Sequence, residues 1–254
     1  MTILSVNLNK VALLRNARGG TTPSVLKAAA ICLAEGAGGI TVHPRPDGRH
    51  TRASDVGELA ELVKSKPAAE FNVEGNPTPP FLKLVQDTQP TQCTLVPDAP
   101  DALTSDHGWD LDAQARELGP IIEQLRSAGI RVSLFLEPEP DDIERAKALG
   151  ADRVELYTES YGRAYGTESE AYALSRFSIA AEKANEIGLG VNAGHDLNLE
   201  NLSAFCLVVP HLLEVSIGHA FVSYSLEVGL QRAVRDYVRA LSRVESGVSG
   251  RGHR

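Results

Sequence analysis

The chain has few of the residues on which disulfide-bonded, metal-cluster and membrane proteins depend. Its 254 residues contain only three cysteines, one methionine and one tryptophan. Cys32, Cys93 and Cys206 are far apart and form no CxxC pair, so they give neither a disulfide framework nor a zinc cluster and suit a reducing compartment. No apolar run approaches the roughly 18 residues that span a membrane, and the N-terminus lacks the pattern of a signal peptide. We therefore expect a cytoplasmic protein with no membrane segment.

Positive charge is also in deficit. The 25 Lys and Arg residues against 33 Asp and Glu residues give a formal net charge of −8. A chain this acidic is a poor partner for nucleic acid or for an anionic membrane surface, so we expect neither. If the ligand is a small anion, its site must be locally positive within an acidic protein. The 43% hydrophobic and 23% charged residues otherwise fit an ordinary globular domain.

Short apolar and β-branched runs alternate with segments of helical period along the whole chain. The eight runs are residues 3–7, 39–43, 69–73, 92–97, 131–137, 153–158, 190–194 and 213–218. Strands that alternate with helices pair in parallel, because each crossover needs a helix. No Pro/Ser-rich linker divides the chain. We expect one α/β domain, a (β/α)8 TIM barrel with extra helices over residues 1–243, and a flexible tail over 244–254; a doubly wound open sheet is the alternative.

Polar residues occupy alternate positions within these runs. Thr41 and His43 flank Val42, for example, and Glu70 and Asn72 flank Phe71. Successive side chains of a strand point to opposite faces, so one face of the sheet packs on helices and the other is polar. Both faces of an open doubly wound sheet meet helices, whereas a barrel can hold a polar face in its lumen, next to its active-site mouth. The pattern favours the barrel and indicates an enzyme.

Imidazole and guanidinium groups follow the second run, where His43, Arg45 and His50 share a loop that contains prolines. Imidazole exchanges protons near neutral pH and Arg can clamp a phosphate, although a solvated basic loop explains these residues equally well. The pairs Gly194-His195 and Gly218-His219 follow the seventh and eighth runs, which is the usual phosphate site of barrels.

Glutamates inside the barrel are the candidates for a general base. A buried carboxylate is costly to ionise unless it is paired, so Glu70 and Glu155 could titrate near neutral pH. A structural Glu–Arg or Glu–Lys pair across strands is the alternative. Position alone does not rank Glu70, Glu74, Glu137, Glu155 and Glu214. P-loop, Rossmann, HExxH and GxSxG motifs do not occur, which disfavours nucleotide, metal and serine-hydrolase chemistry.

Taken together, the motifs resemble those of the pyridoxine 5′-phosphate synthase family of the deoxyxylulose-phosphate-dependent vitamin B6 route. They are LRNARG (14–19), GITVHPRPDGRH (39–50), LVP (95–97), AGIRVSLF (128–135), VNAGH (191–195) and IGHA (217–220). The resemblance implies a (β/α)8 barrel, commonly a homo-octamer, that uses neither a metal nor an organic cofactor. It also implies two phosphorylated substrates, 3-amino-2-oxopropyl phosphate and 1-deoxy-D-xylulose 5-phosphate, which condense to pyridoxine 5′-phosphate with release of phosphate and water.

The resemblance assigns roles to individual residues. His43 and Glu70 match the family's general acid/base pair. His195 matches a third proton-transfer residue, and Glu155 matches a carboxylate that stabilises a charged intermediate. The positions that hold the amino-ketone phosphate are Asn7, Arg18, Asp196, Gly218 and His219, and those that hold deoxyxylulose phosphate are Arg45, His50 and Thr104.

Three positions depart from the family's pattern. Asn9-Lys10 replaces an Asp-His pair that contacts deoxyxylulose phosphate, Ser223-Tyr224 replaces a pair that carries an arginine, and Asp196 replaces a frequent glycine. A Lys ammonium cannot accept a hydrogen bond as imidazole can. We interpret these changes as altered recognition with activity kept. The alternatives are another sugar-phosphate barrel, an aldolase or isomerase that uses Lys10, and a non-catalytic phosphate-binding homologue.

Overall fold

The computed structural model describes residues 2–99, 102 and 104–249, with side chains as far as Val244. Eight parallel strands close into a barrel in chain order, and the last strand pairs with the first. The strands are β1 (Ile3–Asn7), β2 (Gly39–Val42), β3 (Glu70–Gly75), β4 (Gln92–Leu95), β5 (Arg131–Leu136), β6 (Arg153–Tyr157), β7 (Gly190–Gly194) and β8 (Leu212–Ile217). The predicted TIM barrel is therefore confirmed, and the open-sheet alternative is wrong.

Helices follow every strand. In the described part of the chain they are α1 (Asn9–Asn16), α2 (Val25–Ala34), α3 (Ala53–Lys64), α4 (Pro79–Thr88), α5 (Leu111–Ser127), α6 (Pro140–Ala148), α7 (Glu159–Ala164), α8 (Glu170–Glu186), α9 (Leu202–Val208), α10 (His219–Val228) and α11 (Leu230–Ser249). These exceed the eight that a barrel needs, which agrees with the expectation of extra helices.

The alternation along the strands separates an apolar layer from a polar lumen. Val6, Val42 and Val132 are fully buried in the core between strands and helices. The intervening side chains meet inside the barrel, where Thr94 donates a hydrogen bond to Asn72 Oδ1 at 3.0 Å. The polar face that the sequence predicted is thus the barrel interior.

The end of the lumen nearest the strand N-termini holds ion pairs. Arg131 of β5 donates from both terminal nitrogens to the carboxylate of Glu70, which opens β3, and its Nε donates to Gln92 Oε1 at 2.9 Å. Arg153 of β6 donates to Asn192 Oδ1 at 3.1 Å. These contacts involve five neighbouring strands, β3 to β7, below the mouth.

The C-terminal segment begins as a helix. The backbone of α11 is helical as far as Ser249, so the predicted boundary after residue 243 does not coincide with a helix end. Residues 250–254 of the predicted tail lie outside the described residues. No helix in the described ranges is long and apolar enough to cross a membrane.

Gly194 permits a close approach of β7 to β8 beside the mouth. A Cβ at this position would overlap the carbonyl oxygen of Ser216 and lie 3.1 Å from Glu155 Oε1. Gly194→Ala should lower the free energy of unfolding by about 1–3 kcal/mol, the usual cost of overpacking, as measured by urea denaturation. Gly57 inside α3 is the control, since nothing lies within 4 Å of its added Cβ. Gly57→Ala should raise the free energy of unfolding by up to about 1 kcal/mol, and equal losses in both variants would contradict the close-approach explanation.

Candidate active site

A cavity of about 490 Å³ opens at the carboxyl ends of the strands, where barrel enzymes hold their active sites. Most of the residues predicted from the sequence line it: Asn7, Asn9, Lys10, His43, Arg45, His50, Thr104, Glu155, His195, Asp196, Gly218 and His219. Residues that were not predicted as site residues also line it, among them Glu74, Ser105, Phe135, Asn198 and Ser216. Glu70 and Arg18 do not.

Glu70, which the resemblance pairs with His43, lies away from the cavity and from His43. Glu70 is the first residue of β3 and pairs with Arg131 at the far end of the lumen, which is the structural Glu–Arg pair that the sequence left open. Glu74 lies four residues further along the same strand and face, about 13 Å nearer the mouth. Its Oε2 is 3.9 Å from His43 Nδ1. The rule that barrel sites occupy the carboxyl ends of strands could have chosen Glu74 from the sequence.

The pKa values of His43 and Glu74, which face each other, are shifted in opposite directions. Burial lowers the pKa of His43 well below its ordinary value, and the charges of Arg45, His50 and Arg49 lower it further. Burial raises the pKa of Glu74 well above its ordinary value, and nearby carboxylates add to the effect. Their environments therefore displace the two pKa values in opposite directions, which is the usual signature of an acid/base pair.

Asparagines position this pair. The backbone N–H of His43 donates to Asn9 Oδ1 at 2.8 Å, and the backbone N–H of Asn9 donates to Asn7 Oδ1 at 3.0 Å. Asn7 Nδ2 donates to Glu74 Oε2 and Asn72 Nδ2 donates to Oε1, each at 3.4 Å. Asn9, which departs from the family pattern, therefore acts here through its amide oxygen on the backbone of His43.

The wall formed by α1 and the β2 loop is cationic. Lys10, Arg45 and His50 line it. Burial lowers the pKa of Lys10, and the charges of Arg49 and Arg45 lower it further. Burial, followed by the charge of Lys10, lowers the pKa of His50 to about 4, so His50 is neutral at neutral pH. This wall supplies the local positive charge that an anionic ligand requires in an acidic protein.

Arg45 also holds the loop after β4. Its Nη2 donates to Asp98 Oδ2 at 2.5 Å, and Ser105 Oγ donates to the same oxygen at 2.7 Å. Arg49 contributes a further contact by donating to the carbonyl of Ala102. The described residues Asp98, Ala102 and Ser105 of this loop are therefore held next to the cationic wall.

His195 occupies the opposite wall. Its Nδ1 is 2.7 Å from Asp196 Oδ2, and its Nε2 is 2.7 Å from Thr104 Oγ1. Its ring packs against Tyr157 in a T-shaped contact, with centroids 5.4 Å apart. Three groups therefore fix the imidazole, and Asp196, which the family often lacks, is one of them.

Gly218 and His219 begin α10 directly after β8. Gly218 is the N-cap residue, and His219 is the first helical residue. A Cβ on Gly218 would lie 3.1 Å from Asn7 Cβ, so glycine keeps this helix end close to the cavity floor. The free N–H groups and dipole of a helix N-terminus suit an anion.

Two predicted features lie away from the cavity. Arg18 is exposed, in the segment between α1 and α2. Tyr224, which replaces the arginine found in the family, donates from its hydroxyl to Asp236 Oδ2 at 2.9 Å on α11. The side chain at position 224 therefore contacts α11 and does not line the cavity.

Glu155 lies deeper in the lumen. It is 4% exposed, and its Oε2 has no hydrogen-bond partner. Burial and then the charge of Glu214 raise the pKa of Glu155 to about 8. At neutral pH it holds a proton.

This raised pKa makes stability depend on pH. Between the ordinary value of 4.5 and about 8 the folded state binds more protons than the unfolded state, so stability falls as pH rises through this window. Glu155→Gln removes the effect. The free energy of unfolding of the variant, minus that of wild type, should therefore increase by roughly 1–3 kcal/mol from about pH 5 to about pH 9. Exposed Glu58→Gln is the control, and its difference from wild type should be the same at both pH values.

Comparison with known proteins identifies the family. The sequence profile described as pyridoxal phosphate biosynthesis protein PdxJ matches residues 4–243. Pyridoxine 5′-phosphate synthase of Bacteroides thetaiotaomicron is 52% identical over 241 residues, which cover 95% of this chain and 100% of that protein. The synthase of Albidiferax ferrireducens is 51% identical over 250 residues, which cover 96% and 99%.

Solved structures of low sequence identity share the fold alone. The 3-keto-L-gulonate-6-phosphate decarboxylase of Vibrio cholerae has a TM-score of 0.63 at 9% identity, covering 96% of this chain and 98% of that one. Phosphoribosyl anthranilate isomerase of Thermotoga maritima has a TM-score of 0.59 at 14% identity, covering 95% and 99%. The match over residues 4–243, with relatives more than half identical across nearly their whole length, shows that the chain belongs to the PdxJ family of pyridoxal phosphate biosynthesis enzymes.

Proposed function

We propose that this enzyme is a pyridoxine 5′-phosphate synthase. It condenses 3-amino-2-oxopropyl phosphate with 1-deoxy-D-xylulose 5-phosphate, and pyridoxine 5′-phosphate, phosphate and water leave. The reaction proceeds by general acid/base catalysis without a metal or organic cofactor. The observation that carries the proposal is the His43–Glu74 pair inside one cavity that also offers two separate anion sites.

The two anion sites suit two phosphorylated substrates. The N-terminus of α10, at Gly218 and His219, is suited to the phosphate of the amino ketone, with Asn7 beside it. The wall with Lys10 and Arg45 is suited to deoxyxylulose phosphate. This arrangement supports the substrate-binding roles of the residues that line the cavity, while the role of Arg18 gains no support from its exposed position.

The acid/base groups suit the chemistry. Imine formation, dehydration, phosphate elimination and ring closure each move protons between carbon, nitrogen and oxygen, so several poised groups serve better than one strong nucleophile. The lowered pKa of His43 suits a group that accepts a proton, and the raised pKa of Glu74 suits a group that donates one. His195, oriented by Asp196 and Thr104, is the third proton-transfer group, and Glu155 faces the charged intermediate.

The direct test uses one reaction mixture. Purified protein is incubated with both substrates, and pyridoxine 5′-phosphate and released phosphate are measured together. Both products should form in equal amounts and only when both substrates are present. Binding of the substrates without turnover would reject the proposal in favour of a non-catalytic homologue.

Two glutamates of the same strand provide a matched comparison. Glu74→Gln removes the acid that faces His43 and should reduce product formation by at least about 100-fold. Glu70→Gln removes a carboxylate that contacts Arg131 and approaches Arg153, both away from the cavity, so its turnover should stay within a few-fold of wild type. The measurement is kcat for product formation in folded variants. A reversed order of the two losses would overturn the assignment of the acid to Glu74.

Lys10 supports a second candidate, a Schiff-base aldolase. Its lowered pKa is a property that imine-forming lysines share. If Lys10 only binds phosphate, borohydride added with deoxyxylulose phosphate should leave no adduct at Lys10 by mass spectrometry, and Lys10→Ala should raise KM for that substrate. A trapped adduct at Lys10 would favour the aldolase.

We also propose that the enzyme is a cytoplasmic homo-octamer, as the resemblance implies. Light scattering of the purified protein should give eight times the chain mass. A monomeric mass would reject the assembly without affecting the assignment of the reaction.

A further inference from the structure

The lumen below the mouth contains more buried carboxylates than the proposed mechanism uses. Glu74, Glu155 and Glu214 are all buried. Glu214 Oε1 has no hydrogen-bond partner, and its Oε2 is 3.7 Å from Arg153. Glu155 Oε2 likewise has no partner. The sequence placed Glu214 among five acids that it could not rank, and the mechanism leaves it without a role.

Strand register brings Glu214 and Glu155 to one level of the barrel. Glu155 is aligned with Asn192 on β7, and Asn192 is aligned with Glu214 on β8. Two inter-strand spacings separate the backbones by about 10 Å, and both side chains point into the lumen. Asn192 uses its amide on Gln92 and Arg153, and not on either carboxylate.

The charges around Glu155 are unevenly distributed. The described elements bring the following charged and titratable groups to the lumen or mouth: Lys10 of α1, His43, Arg45 and His50 after β2, Glu70 and Glu74 of β3, Asp98 after β4, Arg131 of β5, Arg153 of β6 itself, His195 and Asp196 after β7, Glu214 of β8 and His219 of α10. Arg131 is paired with Glu70, and Arg153 lies against Glu214. The charge that acts most on Glu155 is the like charge of Glu214.

We propose that Glu214, anchored by Arg153, is a positioning residue that keeps the proton on Glu155 in the ligand-free enzyme. Two carboxylates in a lumen of low dielectric do not both ionise readily, and the one beside a cation ionises first. Because Arg153 lies next to Glu214, Glu214 is the carboxylate that ionises first. Glu155 then meets the ligand as a carboxylic acid, able to donate a hydrogen bond. Only the identity of that ligand rests on the proposed function.

The directions of the pKa shifts agree with this geometry. Burial raises the pKa of both groups, and the charge of Arg153 opposes the rise at Glu214. A purely structural Arg153–Glu214 pair would stabilise the barrel equally well but would leave the titration of Glu155 unchanged.

The test is a titration of ligand-free protein labelled with carboxyl-¹³C glutamate and followed by NMR. Glu155→Gln assigns the Glu155 resonance. In Glu214→Gln the midpoint of Glu155 should fall by about one pH unit. Glu214→Asp, which keeps the charge, should hold it within about 0.3 unit of wild type. Glu70→Gln is the matched control, because it removes a different lumen carboxylate that also approaches Arg153, at 4.0 Å. It should leave the midpoint in place.

A Glu155 midpoint that does not move in Glu214→Gln would overturn the proposal, as would an equal shift in Glu70→Gln. If Glu214→Gln does not fold, the reciprocal measurement decides. Coupling acts equally on both groups, so the midpoint of Glu214 should fall in Glu155→Gln by a similar amount, and no shift there would also overturn it. These titrations need no substrate. Absence of product formation by wild type would reject the synthase assignment and leave the coupling intact.

Discussion

Charged side chains inside a closed barrel reach bulk water only through its two ends, so each must be paired or neutralised by protonation. The lumen of this enzyme uses both solutions at different depths. Near the strand N-termini, Arg131 compensates Glu70. At the level of Glu155 and Glu214, Arg153 approaches only Glu214, and the pKa of both carboxyl groups is raised. Towards the mouth, the charges that act on Glu74 are mainly other acids, and its pKa is raised. The deep end therefore holds the Arg131–Glu70 ion pair, and the carboxyl groups nearer the mouth have raised pKa values.

The cationic wall has a consequence for the imidazoles beside it. The charges of Arg45 and Arg49 lower the pKa of both His43 and His50, after the larger effect of burial. A phosphate bound against the same wall would offset those charges and raise both pKa values. Substrate binding would then make His43 a stronger base at the moment when a proton must be taken up. An overall net charge of −8 does not oppose this, because the relevant field is that of one wall.

The sequence predicted the barrel because its strands alternate polar and apolar residues. The resulting polar face of the sheet can be accommodated in a barrel lumen but not against the helices of an open sheet. It also predicted most of the cavity wall, since motifs at strand ends converge wherever the strands are parallel. It failed at Glu70, because Glu70 and Glu74 share a strand face and differ only in depth, which depends on where β3 begins and on the partner Arg131. It could not locate Tyr224 either, since that contact depends on how α10 packs against α11.

The same electrostatics explain the Asn9-Lys10 departure. The position before Lys10 must accept a hydrogen bond from the backbone of His43, and an amide oxygen does this as well as a carboxylate. A carboxylate there would raise the pKa of His43 and add a further acid to a lumen that already holds three buried ones. Asparagine keeps the hydrogen bond without the charge, and Lys10 adds a cation to the wall that suits phosphate. Both exchanges therefore make the mouth more positive and leave the His43–Glu74 pair in place.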